Sequence, residues 1–259
     1  MIEEPYRWVE AIANRREYIE TQLSGGSPIA AVSCRDGILF LTVGRNRQKL
    51  FEIYDRIAMG AIGHPGDIER LRMAAIELAS TEGFTRSAAD VSLRRLAHYS
   101  LSPILKNAFE QVYGAPFLAR MIFAELGSHA ESDLFVRLDY DGSIATNGGG
   151  PGGVRSDFSA LSGTHFSTEL MESFFATAHE GNATLHRALQ IAGDAWSVGN
   201  LALGESGIRE LPTREKIAEY RSAELKLDAI QAALLERDST SAIRYRTISE
   251  AELQAAFPR

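Results

Sequence analysis

Apolar residues follow two periods along the chain. From residue 30 to 63 they come in short, nearly unbroken runs, AAVSCR, ILFLTV, FEIYDR and IAMGAIG. Runs of this length bounded by turn residues read as strands. Asp36-Gly37 lies between the first two and is the strongest short hairpin signal in the chain. Ala58, Gly60, Ala61 and Gly63 are small enough for a close layer to pack above the second pair. Further on, PFLARMIFAEL reads as a buried strand with DLFVRLDY as its partner. Asp141-Gly142 then turns the chain into SIAT with a second type I′ signal.

Helical spacing flanks these runs. Residues 5 to 23 place Trp8, Ile12, Ile19 and Leu23 on one stripe, with Pro5 suited to the first turn and Gly25 and Gly26 to the stop. That stripe is expected to pack on its own domain or on a neighbouring subunit. Asp67 is a good N-cap ahead of Ile68, Leu71, Ala74, Ala75 and Leu78, and Gly83 reads as the stop. A second helix is predicted from about Ala88 to Val112, kinked or divided at Pro103. After a flexible loop over residues 147 to 157, helices are predicted from Ser167 to His179, closed by Gly181, and from Leu185 to Trp196, capped by Thr184. Residues 199 to 222 read as a loop with a short helix. LKLDAIQAALLER fits strand or helix by pattern alone. AIRYRTI reads as a strand, and Ser249 caps a short last helix, EAELQAAF. The order is strands, two helices, strands, two helices, strands. Two packed sheets between helix layers satisfy it in a single domain, 1–259.

Composition excludes more than it selects. The 259 residues are 45% hydrophobic and carry a formal net charge of −7, so nothing attracts the chain as a whole to nucleic acid. Cys34 is the sole cysteine, which rules out a disulfide within the sequence and points to a reducing compartment. The charged first segment reads as no signal peptide, and no apolar run reaches the ~20 residues that span a membrane. A cytoplasmic location, with no membrane partner, is the expectation.

The order of elements, with a basic corner of Arg45, Arg47 and Lys49 between the hairpins, resembles a proteasome subunit. QKLFEIYDRIAMGAIG (48 to 63) and YDGSIA (140 to 145) look most like the bacterial alpha-type subunits of actinobacteria. The resemblance spans nearly the whole chain, and residues 199–222 depart from it as an insertion. It implies an α+β fold, the four-layer αββα sandwich of N-terminal-nucleophile hydrolases. It also implies a structural and gating subunit without catalysis of its own in a threonine-type protease complex. Such subunits form heptameric rings that cap a barrel of beta-type protease subunits and narrow the axial pore with their N-terminal segments. Pockets between neighbours receive the C-terminal tails of ring-shaped ATPases, which in the bacterial relatives deliver proteins carrying a ubiquitin-like tag. The implied partners are further copies of this chain, beta-type subunits and a ring-shaped proteasomal ATPase, with no cofactor.

The resemblance sets Lys49 at the pocket lysine, Gly26 at the backbone position a tail approaches closely, and His64 at a third pocket position whose side chain varies. A tail carboxylate needs a fixed cation, and such a charge-assisted hydrogen bond contributes ~1.5–3 kcal/mol. Ring symmetry multiplies that modest affinity by docking several tails at once. From spacing alone, Arg45, Arg47 and Lys49 read as a solvated turn. The tyrosine–aspartate–arginine gate motif of archaeal and eukaryotic subunits is absent before the first strand; Tyr54 to Arg56 lies elsewhere, so that gating mechanism is not carried over.

An enzyme is the competing reading. Catalytic beta-type subunits cleave after a glycine and free a Thr or Ser whose own amine acts as base. Gly26-Ser27 fits that pattern, and with a shorter loop between the hairpins Lys49 aligns with the lysine beside the nucleophile. The partner aspartate falls on Val43, however, and Pro28 is an odd neighbour for a nucleophile. Other motifs have plain readings. The glycines from Gly148 to Gly153 lack a GK[ST] step, His179-Glu180 and His186 lack metal spacing, and Asp139 and Asp141 flank a turn. Phe174 and Phe175 read as core and helix interface, and no metal site is expected.

Overall fold

The computed structural model describes residues 5–44, 47–111, 113–147, 157–204, 210–239 and 243–258, with the backbone alone for 5–7. Helix α1 (Pro5–Leu23) leads into β1 (Ile29–Cys34), β2 (Gly37–Val43), β3 (Leu50–Tyr54) and β4 (Ile57–Gly63). Helix α2 (Pro65–Thr85) follows. A single turn α3 (Leu93–Arg95), a π-helical turn (Leu96–Leu101) and α4 (Ser102–Glu110) run together after it. Then come β5 (Ala119–Glu125), β6 (Leu134–Leu138), β7 (Ile144–Asn147) and β8 (Phe158–Leu161). Helices α5 (His165–Ala178), α6 (Leu185–Gly204) and α7 (Arg214–Glu224) precede β9 (Ile230–Glu236), β10 (Tyr245–Thr247) and α8 (Glu250–Ala256).

Among the described residues the strands form two five-stranded sheets, ordered β10-β9-β2-β1-β8 and β3-β4-β5-β6-β7, with antiparallel pairing throughout. Alternate residues of one strand face different layers, as the period of two requires. On β1, Ile29 and Ala31 join Phe40, Ile62, Ile122 and Phe135 between the sheets. Ala30, Val32 and Cys34 face the other way, onto Met171 and Phe175 of α5 and Ala188 to Trp196 of α6. Met59, Ala61, Met121 and Phe123 in turn cover α2 through Leu71 and Ala75. This is the four-layer αββα sandwich. Both faces of each sheet are covered, which is why the strands read as continuous apolar runs. A Cβ on Gly60 would lie 3.1 Å from Ile29 and Ile122 side chains, so the small residues of β4 do admit a close layer.

Local details differ from the sequence pattern for identifiable reasons. Both aspartate-glycine hairpins exist, but no residue other than glycine has a positive φ among the described residues, so neither turn is type I′. The first turns on Arg35-Asp36 and pairs Cys34 with Gly37; the second places the positive φ at Gly142 alone, +80°. Asp141 Oδ1 accepts the Ser143 N–H within its own turn, whereas Asp36 Oδ2 accepts the distant Leu185 N–H at the start of α6. The N-cap of α2 is His64, not Asp67, whose Oδ2 instead accepts the Leu118 N–H at 3.0 Å. Gly83 does not stop α2. It lies within the helix, where a Cβ would sit 2.1 Å from the Tyr54 hydroxyl.

The segment expected as one long helix from Ala88 is broken. Only α4 is regular, and Pro103 occupies its first turn, where its missing N–H is harmless. Helix α5 starts at His165 under a Thr164 cap, earlier than Ser167. Strand β8 forms where the sequence pattern gives only a loop and the approach to α5, because it pairs with β1. Helix α6 does not stop at Trp196 but continues to Gly204, because Gly193 and Gly199 let it approach Phe257, Met171 and Pro28 closely. The ambiguous LKLDAIQAALLER contains strand β9, paired with β2 and β10. The glycines from Gly148 to Gly153, and Arg45, lie outside the described residues.

Candidate functional site

The first half of the site is the corner where β2 ends and β3 begins. Gly26, Ser27 and Pro28 link α1 to β1 there. Ser27 Oγ donates to the Val43 carbonyl at 3.0 Å and accepts the Trp196 Nε1–H at 3.2 Å. Thr42 Oγ1 donates to the Pro28 carbonyl at 2.7 Å, stitching the same segment to β2. Lys49 enters β3 from the other side, and its Nζ donates to the Val43 carbonyl at 3.3 Å. One backbone oxygen therefore accepts from both Ser27 and Lys49.

Lys49 is half-buried, and no carboxylate pairs with it among the described residues. Burial lowers its pKa to about 8, because the charged form loses water and gains no anion. The solvated-turn reading therefore holds for exposed Arg47 and not for Lys49. Gly26 has a packing reason of its own: a Cβ there would lie 2.0 Å from Ile62 Cγ2. It sits one residue before Ser27, so Gly26 and Lys49 do belong to one corner. His64 lies two residues beyond Ile62, exposed at the start of α2, and takes part as a backbone cap.

The same geometry bears on the competing reading. Ser27 and Lys49 converge, as a nucleophile and its lysine would. Val43, however, offers a carbonyl where the pattern requires a carboxylate, and that carbonyl takes the Ser27 proton in a hydrogen bond. The lysine is turned to the same carbonyl. Ser27 Oγ is engaged by the Val43 carbonyl and the Trp196 indole N–H, neither of which is a base for it.

A second charged cluster fixes α1 ahead of that corner. Arg120 on β5 is 2% exposed. Its Nε donates to Asp139 Oδ1 at 3.0 Å, its Nη1 to the Gly163 carbonyl at 2.8 Å and its Nη2 to Glu20 Oε1 of α1 at 2.5 Å. The Tyr140 hydroxyl donates to the same Glu20 oxygen at 2.7 Å. Burial disfavours the Glu20 carboxylate, but the hydrogen bonds from Tyr140 and Arg120 outweigh it and hold its pKa below the ordinary value. Ile19 and Leu23 are fully buried beside Phe109 and Tyr140, and Arg15 Nη1 caps the end of α4 through the Phe109 and Gln111 carbonyls. Burial fades towards the start of α1, where Trp8 is 44% exposed.

The His179 side chain is 10% exposed, so it is not the surface histidine that the sequence pattern suggests. Asp139 serves Arg120, and Asp141 pairs with Arg16 at 3.1 Å. His179 ends α5 while His186 reaches the Ala255 carbonyl from α6. No group of three potential metal ligands exists among the described residues. Phe175 is wholly buried and Phe174 partly so. A groove of about 970 Å³ runs between α2 and the Leu96–Ile104 stretch, lined by apolar side chains, by Thr81, Thr85, Tyr99 and Ser100, and by charged groups that include the Arg95–Glu82 pair. No helix among the described residues is long and apolar enough to cross a membrane. Gln231, which the sequence reading passed over, touches the Lys49 corner from β9; nothing in its local pattern marks it.

No family model matches the chain. Among curated proteins it is similar to the proteasome subunit alpha of Streptomyces griseus, 32% identical over 193 residues, which are 73% of this chain and 66% of that protein. It is 34% identical to that of Jonesia denitrificans over 142 residues, 54% of this chain and 59% of the relative. With that of Kineococcus radiotolerans it shares 30% identity over 216 residues, 78% of this chain and 81% of the relative. The match thus spans just under two thirds of the first relative, under three fifths of the second and four fifths of the third.

Proposed function

The chain belongs to the proteasome alpha-subunit family, and from that premise we propose that it is the non-catalytic alpha-type subunit of a bacterial core particle. In this reading residues 1–259 act as one domain, with 199–222 as an insertion. The subunit works in the cytoplasm as the outer heptameric ring over beta-type protease subunits, gates substrate entry, and receives the C-terminal tails of a ring-shaped ATPase.

One observation carries the docking part: Lys49 is a half-buried ammonium that, among the described residues, meets one carbonyl and no carboxylate. An incoming C-terminal carboxylate provides the missing charge. Gly26 belongs to the same corner, with Ile62 filling the place of its Cβ, so the tail meets only the part of its backbone left half-exposed. The non-catalytic part is supported by α1. Its last two turns are built into the fold through Ile19, Leu23 and Glu20, so release of an amine at Ser27 would cut away a packed element.

Co-expression with a beta-type chain and electron microscopy of the product test the assembly. Seven-membered outer rings are expected, and a Lys49→Ala chain is expected to build the same rings while binding the ATPase more weakly. Rings of Lys49→Ala that dock the ATPase normally contradict the pocket. The convergence of Ser27 and Lys49 keeps a second reading, a self-processing hydrolase, open to a direct check. Mass spectrometry that finds a chain starting at Ser27 selects it.

A further inference from the structure

A residue from the far end of the chain grips the corner that carries Lys49. Strand β9 pairs with β2 so that Gln231 lies opposite Thr42 and Ile230 opposite Val43. Gln231 therefore stands level with the end of β2, where the chain leaves the sheet for β3. Its amide is used at both ends. Oε1 accepts the Lys49 backbone N–H at 2.9 Å, while Nε2 donates to the Gly44 carbonyl at 2.9 Å and the Arg47 carbonyl at 2.6 Å. Gly44, Arg47 and Lys49 all lie outside the strands, so this one side chain supplies hydrogen bonds that the sheet ladder does not. Space is short as well: a Cβ on Gly44 would lie 3.1 Å from Gln231 Nε2 and 3.4 Å from Lys49 Cε. The lysine stem, the Gly44 backbone and the glutamine amide share one small volume.

We propose that Gln231 is the positioning residue of the tail-docking site: by bridging Gly44, Arg47 and Lys49 it fixes where the Lys49 ammonium stands and so sets the affinity for a tail carboxylate. The inference rests on the reading of Lys49 as the docking cation. The chemistry selects an amide. Two carbonyls and one N–H must be met at once, which requires a donor and an acceptor on one planar group. A carboxylate at this place meets the N–H alone, repels both carbonyls and competes with the tail for Lys49. Holding the corner also limits the freedom of a side chain with four rotatable bonds, which lowers the ordering cost when a partner binds.

Lys49 is one of four lysines, with Lys106, Lys216 and Lys226, and the other three are exposed. Carbon-13 labelling at lysine Cε therefore resolves Lys49 in the assembled full chain. Two readouts are taken: the Lys49 titration midpoint, and the binding of a dansylated tetrapeptide with a free C-terminal carboxylate. Gln231→Met keeps length and bulk and removes all three hydrogen bonds. The expected result is a Lys49 midpoint that rises from about 8 towards 10.5, as the corner opens to water, and at least fivefold weaker peptide binding. Gln231→Glu is expected to raise the midpoint and weaken the peptide too, because its carboxylate pairs with Lys49. A Gln231→Met chain that melts earlier yet keeps the wild-type midpoint and affinity overturns the proposal, since a merely structural glutamine behaves that way. Lys49→Ala separates the two layers of the argument. Lost peptide binding there, with wild-type binding in Gln231→Met, overturns the role of Gln231 alone. Unchanged binding in Lys49→Ala overturns the docking reading and this inference with it.

Discussion

Arg120 and Lys49 are both cations taken out of water, and they are treated in opposite ways. Arg120 meets two carboxylates, Glu20 and Asp139, and a carbonyl, so its desolvation is answered within the chain. Lys49 meets one carbonyl shared with Ser27. A buried cation with full company holds structure together, here the C-terminal half of α1 against β5. A half-buried cation left without an anion costs stability and persists where another molecule supplies the anion. The pKa directions agree with this contrast. Lys49 is driven down to about 8 by burial, whereas Arg120 stays above its ordinary value, because its partners outweigh the burial that opposes its charge.

The largest expected effect comes from breaking the answered cation. Arg120→Met takes away the buried cation that Glu20 and Asp139 share, leaving them the Tyr140 hydroxyl and N–H and the neighbouring His165 ring, and should lower unfolding stability by ~3–5 kcal/mol. Chemical denaturation measures it, and proteolysis should then cut within α1 first. Lys49→Met should act the other way round. Unfolding stability is expected to hold or improve, while docking of a carboxylate loses the ~1.5–3 kcal/mol of a charge-assisted hydrogen bond per tail. Co-sedimentation with the ATPase ring reads this loss directly.

The sequence carried the frame of this comparison and hid its content. Apolar runs such as ILFLTV announced buried strands, the Asp-Gly steps announced hairpins, and the motif from Gln48 to Gly63 carried the family resemblance. What a local pattern cannot hold is a contact across the chain. Gln231 reaches Lys49 over 182 positions, and Glu20 reaches Arg120 over 100. Strand β8 is four residues long and is fixed by its pairing with β1, which no window around Phe158 reveals. Helix α6 outran its expected stop for the same reason, since the close approach of Gly199 to Pro28 and Met171 is tertiary. Residues 199–222, where described, hold the end of α6 and most of α7, tied back by Arg221 to Asp194 at 2.6 Å.

Two smaller effects sharpen the contrast. Because the folded chain holds the Lys49 pKa below its unfolded value, the unfolded chain binds more protons between about pH 8 and 10.5. Stability contributed by this residue must therefore rise with pH across that window and fall as pH drops through it. The difference between wild type and Lys49→Met in denaturant midpoint against pH isolates the slope. Ser27→Ala is the smallest change. It removes one hydroxyl between Trp196 and Val43, with an expected cost of ~1 kcal/mol. Peptide hydrolysis by a particle built with this variant should match wild type, and any loss of activity would restore Ser27 as a nucleophile.

The most direct test asks whether Lys49 awaits an anion from another chain. Isothermal titration compares a tail peptide bearing a free C-terminal carboxylate with its C-terminal amide, on the assembled chain at pH 7 and at pH 9.5. The account predicts that the carboxylate form binds at pH 7, weakens steeply above pH 8 as Lys49 loses its proton, and that the amide binds at neither pH. Equal binding of acid and amide, or binding of the acid that ignores pH, contradicts it.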